Sequence, residues 1–164
     1  SKGAGWFGIR RFDRTSSGKV HMATVAGLLH CDFRQPCLDY QTLMALTQRL
    51  AGAGDLEQML KRAYFNFVTD NRDDHAKNFS FICRDGIWTL APAYDLTLCR
   101  AGYNGEHATS VNNSGNPSLE DMIAVGKSIR INEEKGIHII RSVYEHCQDI
   151  LSPCWQGVIH DGNC

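Results

Sequence analysis

Long apolar runs are missing from this chain. No stretch approaches the roughly 18 residues that a membrane-spanning helix needs, so no membrane association is expected. The opening Ser1-Lys2-Gly3-Ala4-Gly5-Trp6-Phe7-Gly8-Ile9-Arg10 has no long apolar stretch after its basic residue, so a signal peptide is not expected either. A surplus of one charge is also missing. Seventeen basic against 18 acidic residues give a formal net charge of -1, which excludes a global pull towards nucleic acid or anionic membrane and leaves only local patches. Among seven cysteines no pair has C-x-x-C spacing, and the odd count argues against a disulfide framework. A Cys31–Cys37 bridge would need an oxidising compartment; free thiols in a cytoplasmic protein, several of them buried as small hydrophobes, are expected instead. Repeats and low-complexity segments are absent. What remains is an ordinary globular composition, 43% apolar and 21% charged, over 164 residues: enough for one domain or one large lobe of something bigger.

Apolar spacing and turn chemistry predict an α+β fold that is mostly α. Trp6-Phe7-Gly8-Ile9 and Val20-His21-Met22-Ala23-Thr24 are expected as two strands joined across the polar cluster Thr15-Ser16-Ser17-Gly18. Asp39 is a candidate N-cap for a helix through Leu43, Leu46 and Leu50 that stops at Gly52 and Gly54. Asp55 is expected to open the next helix, whose apolar face carries Leu56, Met59, Leu60, Ala63, Tyr64 and Phe67, interrupted by Asn66, which must find a partner if buried. That helix should give out at Thr69-Asp70-Asn71. Phe79-Ser80-Phe81-Ile82 and Ile87-Trp88-Thr89-Leu90 flank Asp85-Gly86, a hairpin signal. Ser118 and Asp121 form a candidate capping box, and Asn132 caps a last helix with apolar positions Ile137, Ile140, Tyr144, Cys147 and Leu151, ended by Pro153.

Between the second long helix and the hairpin lies Asn71-Arg72-Asp73-Asp74-His75-Ala76-Lys77-Asn78. Charge-rich loops are usually only solvated. Here Arg72-Asp73, four residues and Asn78 reproduce the R-D-x-x-x-x-N spacing of the protein-kinase catalytic loop. The spacing has a mechanical reason. One carboxylate must accept a hydroxyl proton while a carboxamide reaches back to a metal on the phosphates, and one short loop has to aim both. After the hairpin comes Ala93-Tyr94-Asp95-Leu96, where a second metal-ligating carboxylate would be needed; Mg²⁺ takes hard oxygens, commonly one or two carboxylates plus phosphate oxygens. The usual eukaryotic pattern is not met: Asn71 stands where His would be, and Tyr-Asp-Leu where Asp-Phe-Gly would be.

Those departures resemble one family. Phe65-Asn66-Phe67-Val68, Asp73-x-His75-x-Lys77-Asn78-Phe79-Ser80 and Leu90-Ala91-Pro92-Ala93-Tyr94-Asp95 are similar to the C-terminal domain of the HipA-like kinases, serine/threonine protein kinases that act as toxins in bacterial toxin–antitoxin pairs. Arg11-Phe12-Asp13-Arg14 matches that family's R-F-D-R, which follows its hinge strand. The resemblance runs from about Trp6 to about Tyr144. It implies Asp73 as catalytic base, preferred to Asp74 on its spacing to Asn78 and His75, with Asn78 and Asp95 as magnesium ligands. His75 and Lys77 would lie beside the ATP phosphates. Adenine would stack near Phe12 and bond to backbone around Arg10 and Phe12. The nucleotide-binding set is then Arg10, Phe12, His75, Lys77, Asn78, Tyr94 and Asp95, with ATP and Mg²⁺ as cofactors.

The family's Gly-rich phosphate loop and strand Lys have no counterpart before Trp6, so the resemblance implies a C-terminal fragment. In it, residues 1–24 form a hinge hairpin at the edge of the ATP lobe, and 25–164 form the helical C-terminal kinase lobe with the inserted catalytic-site hairpin. Implied partners are an antitoxin, DNA only through that antitoxin, and a protein substrate such as an aminoacyl-tRNA synthetase. Two rivals stand beside this: a kinase-shaped binding module without turnover, and a metal-dependent hydrolase built on Asp70, Asp73, Asp74 and His75. Trp88 is expected to be a hairpin packing residue and His107 an exposed loop residue; the other histidines have no metal-ligand spacing.

Overall fold

The computed structural model describes residues 8–150, with side chains through 148. The fold is mixed α/β with helix the larger part. It runs β1 (Arg14–Thr15), β2 (Gly18–Lys19), β3 (His21–Thr24), α1 (Val25–Leu28), β4 (Leu38–Asp39), α2 (Tyr40–Leu50), α3 (Ala53–Val68), β5 (Ser80–Arg84), β6 (Ile87–Leu90), β7 (Thr109–Ser110), α4 (Leu119–Ser128) and α5 (Glu133–Ile150).

The helices begin largely where the caps predict. Asp39 accepts from the Gln41 N–H at 2.8 Å, Asn132 Oδ1 accepts from the Lys135 N–H at 2.8 Å, and Ser118 and Asp121 form a complete capping box. α3 differs. It starts at Ala53 behind Gly52, with no side-chain cap, so Gly54 lies inside the helix and Asp55 in its first turn, where a carboxylate favours the positive dipole end. Its apolar stripe closes the core: Met59, Leu60, Ala63 and Tyr64 are fully buried against Leu43 and Met44 of α2 and Met122 and Val125 of α4. Each such large side chain removed from water contributes about 1.5–3 kcal/mol. α5 turns a slightly different face inward than its spacing suggests: Gly136, Ile139, Ile140 and Cys147 are buried, while Ile137 and Tyr144 are half-buried. Leu151 and Pro153 lie outside the described residues. Cys31, Cys37, Cys83, Cys99 and Cys147 are free thiols, and only Cys147 among them is fully buried.

The strand pairing corrects one expectation. The tight hairpin is Arg14–Thr15 with Gly18–Lys19, while Gly8 and Ile9 are not strand, and Trp6 and Phe7 lie outside the described residues. Val20–Thr24 does supply a strand, but His21–Thr24 pairs antiparallel with β5, giving the order β3-β5-β6. The 1–24 and 25–164 segments therefore share a sheet. Phe81 and Leu90 put its inner face into the core, and Asp85 (φ 52) and Gly86 (φ 80) make the β5–β6 turn in the left-handed region that such a two-residue hairpin requires. Trp88 packs against the core and edge-on to His21 at 5.3 Å between ring centroids, as a hairpin packing residue should.

Candidate active site

α3 ends where three residues in a row prefer caps and turns. Thr69 folds its hydroxyl back to the Phe65 carbonyl (2.7 Å), and Asp70 takes a left-handed φ of 55, which turns the chain into the loop 71–78. The loop is anchored from inside by a buried polar chain. Asn71 Nδ2 donates to Asn66 Oδ1 (3.0 Å), and Asn66 Nδ2 donates to the Tyr40 hydroxyl (3.0 Å), which donates in turn to Asp74 Oδ2 (2.7 Å). Burial, and then the Asp74 charge, push the Tyr40 phenol well above its ordinary value. From the far side Arg72 is pinned by Asp70 (2.6 Å) and by the Gly105 carbonyl, and its backbone bonds Cys99 and Ala108.

The two adjacent carboxylates have opposite surroundings. Asp74 is 1% exposed and saturated: besides Tyr40 it meets His107 Nδ1 at 3.0 Å and the Thr109 N–H at 3.1 Å. His107 is consequently buried, not the exposed loop residue expected. The side chain of Asp73 is 43% exposed, with His75 Nε2 3.5 Å away as its nearest basic neighbour. Of the pair, only Asp73 is available to a ligand.

Asp73, Asn78, Tyr94 and Asp95 line one narrow recess of about 10 Å³, together with Arg62, Asn66, Asn71, Asp74, Phe79, Ala93 and Leu96. That is room for about one water, far below the about 300–1,000 Å³ of whole small-molecule pockets, so a nucleotide would lie outside it with only its nearest atoms reaching these side chains. Asn78 Nδ2 donates to the Asp73 carbonyl at 2.8 Å, which leaves the carboxamide oxygen as the atom it can offer a cation. Asp95 is exposed and left-handed at φ 56. One carboxamide oxygen and one or two carboxylates fit Mg²⁺ only if phosphate oxygens and water complete its shell. Among the described residues no group of three or more His, Cys, Asp or Glu could hold a metal by itself. The hydrolase alternative fails here, because Asp70 is taken by Arg72 and Arg100 and Asp74 by the core.

The remaining candidates surround this recess unequally. Asp13 is gripped by both arginines of Arg11-Phe12-Asp13-Arg14, at 2.7 Å and 2.6 Å. This holds the half-buried Phe12 ring 5.8 Å from Tyr94, whose hydroxyl reaches the Lys77 carbonyl and Ser80 Oγ, both at 2.5 Å. His75 and Lys77 turn to Phe33, the first edge-on at 5.5 Å between centroids and the second with its ammonium 3.5 Å over the ring. Arg10 is exposed, and no contact among the described residues ties its side chain to the recess. Sequence reasoning misses Phe33 and Arg62. Neither belongs to a periodic pattern or a motif, and only the fold brings them here.

The family model for the HipA-like C-terminal domain matches residues 1–151. The chain belongs to that family. A curated relative from Sinorhizobium fredii, named "Putative kinase Y4dM", is 32% identical over 108 residues, which is 63% of this chain and 26% of the relative. A solved structure of the Shewanella oneidensis toxin antitoxin system HipA, HipB and its operator DNA complex matches with a TM-score of 0.67 at 18% identity, covering 88% of this chain and 42% of that one. At that identity the likeness is one of fold. The chain thus spans about a quarter of the curated relative and under half of the solved one. Within this HipA-like domain no described helix is long and apolar enough to cross a membrane.

Proposed function

We propose that this HipA-like domain carries the catalytic base and metal ligands of an ATP- and Mg²⁺-dependent protein serine/threonine kinase, acting in the cytoplasm as the toxin of a toxin–antitoxin pair. The observation that carries this is the convergence of Asp73, Asn78 and Asp95 on one recess, with the neighbouring Asp74 buried at its wall and engaged by Tyr40, His107 and Thr109. In this reading Asp73 accepts the proton of the substrate hydroxyl, and the chain does little covalent chemistry beyond that, since phosphoryl transfer is mostly positioning and charge neutralisation. Asn78 and Asp95 would hold Mg²⁺, which when bound neutralises phosphate charge. Lys77, steered by Phe33, and His75 would lie along the phosphates. Phe12 and Tyr94 offer aromatic surface to the adenine, with backbone near Arg10 and Phe12 as hydrogen-bonding groups. The name of the Sinorhizobium relative and the family match support kinase chemistry. The Shewanella complex of HipA, HipB and operator DNA supports an antitoxin partner, with DNA reached through it. The gap in the family's pattern, a Gly-rich phosphate loop and strand Lys supplied from outside these residues, belongs to the same proposal. A protein substrate of the translation machinery, such as an aminoacyl-tRNA synthetase, is the acceptor the resemblance implies.

A phosphotransfer assay with radiolabelled ATP, run on the full-length protein that carries this domain and on its Asp73→Asn variant, tests the reading. Label transferred to serine or threonine by the native protein and lost in the variant supports it. Tight antitoxin binding with no label transfer in either would favour a kinase-shaped binding module.

A further inference from the structure

Arg62 stands on the inner face of α3, one turn before Asn66, and its guanidinium is incompletely used. Nη2 donates to the Ala91 carbonyl at 2.5 Å, while Nη1 is buried with no hydrogen-bond partner. Its neighbour Lys61 pairs with Glu57, but Arg62 forms no ion pair among the described residues; Asp55, two turns earlier, acts on it only through space. Burial lowers its pKa from the ordinary value, yet guanidinium stays charged in proteins. A half-buried cation with one enclosed donor unpaired is costly unless something anionic meets it. Arg62 also occupies a junction. With Ala93 and Leu96 it lines the recess of Asp73, Asn78 and Asp95 and also a groove of about 520 Å³ between α3 and α5.

Resting on the phosphoryl-transfer reading, we propose that Arg62 is a phosphoryl-binding residue of this domain, its unpaired and enclosed Nη1 brought by a turn of the guanidinium to donate to a phosphoryl oxygen where recess and groove meet. Guanidinium suits this task, since its planar fork matches phosphate oxygens and charge-assisted bonds to them are about twice as strong as neutral ones. The same chemistry has two sources: the terminal phosphoryl of a nucleotide lying at the recess, or a phosphoryl group on an acceptor hydroxyl lying in the groove.

The test uses the 164-residue chain, Arg62→Met and Arg62→Lys, with inorganic phosphate as probe, read by thermal shift and by the arginine Nε–H signals in NMR. Phosphate should raise the melting temperature of the native chain and shift the Arg62 signal. Arg62→Met should bind phosphate at least about tenfold more weakly, with Arg62→Lys in between. The Met variant should fold, because the lost Ala91 contact is offset by removing an enclosed donor that has no partner; should it not fold, the native Arg62 signal decides alone. Parallel titrations with ATP, ADP and phosphoserine separate the sources: a larger loss for ATP than for ADP assigns the nucleotide, and a loss confined to phosphoserine assigns the acceptor. An unshifted Arg62 signal, or equal phosphate binding by the native chain and Arg62→Met, overturns the proposal. If that occurs while the full-length protein still transfers phosphate, the kinase reading stands without it. If phosphate maps to Arg62 but no label is ever transferred, the anion site stands and the kinase reading falls.

Discussion

Tyr40 donates its hydroxyl hydrogen to Asp74 Oδ2 across 2.7 Å of buried space, joining the first residue of α2 to the middle of the loop that bears Asp73. Together with His107 and the Thr109 N–H it separates two adjacent carboxylates that composition cannot tell apart. Asp74 holds the loop to the core, and Asp73 is left half exposed at the recess.

The consequence is an opposite response to the same substitution. Asp74→Asn sets a carboxamide N–H against groups that already donate, and should cost about 3 kcal/mol of stability, visible in urea unfolding. Asp73→Asn should leave unfolding almost unchanged, its side chain being nearly half exposed, while kcat in the full-length protein falls by roughly 10²–10⁴-fold. Retained activity in Asp73→Asn with loss in a still-folded Asp74→Asn would mean that the roles are reversed.

Asp95 is predicted to trade stability for binding. A non-glycine residue at φ 56 is held in a disfavoured region, and an exposed side chain adds little packing in return. Asp95→Gly should therefore raise the melting temperature, by about 1 kcal/mol of stability at most, and abolish the Mg²⁺ dependence of nucleotide binding. Calorimetry with and without Mg²⁺ checks both halves, and an unchanged Mg²⁺ response would remove Asp95 from the metal site.

Asp13 sets a pH window for the Arg11–Asp13–Arg14 clamp beside Phe12. The hydrogen bond from Arg11 is the main cause that brings its carboxyl down to about 2 from the ordinary 3.8. A lowered folded pKa means that the stabilisation is complete above 3.8 and fades as pH falls from there through about 2. A carbon-detected NMR titration of the Asp13 carboxyl should show that midpoint, with the Phe12 and Tyr94 ring signals changing in step. Titration of Asp13 near 3.8 would show that the Arg11–Asp13–Arg14 clamp does not persist in solution.

Much of the architecture is legible directly from local chemistry. The caps at Asp39, Ser118 and Asn132, the stripe from Met59 to Tyr64 and the Asp85-Gly86 turn are each decided by neighbours within four residues. Features set by distant partners are not legible in this way. β3 finds its partner about 60 residues on, at β5, so local turn chemistry pairs it with the wrong neighbour. On α5 two apolar faces both satisfy helical spacing, and packing against α3 buries Ile139 beside the expected Ile140. The candidate site divides likewise. Asp73, Asn78 and Asp95 stand out by spacing, whereas Phe33, Arg62 and the Asp74–His107 contact arise only when loops and helices meet.

Gly102 touches the loop that bears Asp73 from outside, at Arg72. At φ 43 it is left-handed, and a Cβ there would collide with the Glu106 carbonyl oxygen and stand 2.5 Å from Arg72 Cβ. Neither neighbour can easily yield. Glu106 is tied to Tyr103 by paired backbone hydrogen bonds, and Arg72 is bonded on both sides, to Cys99 at 2.9 Å and Ala108 at 3.2 Å. Gly102→Ala must therefore push on Arg72, the residue before Asp73. It should lose about 3 kcal/mol or more of stability, and the fraction that folds should show a kcat depressed beyond what unfolding explains. Gly86→Ala, in the β5–β6 turn, is the control. It also has a positive φ, of 80, but open space around its Cβ, so it carries strain alone. That variant should lose only about 1–2 kcal/mol and keep its kcat. Equal behaviour of the two variants in unfolding and in turnover would show that the 99–108 loop does not transmit to Asp73.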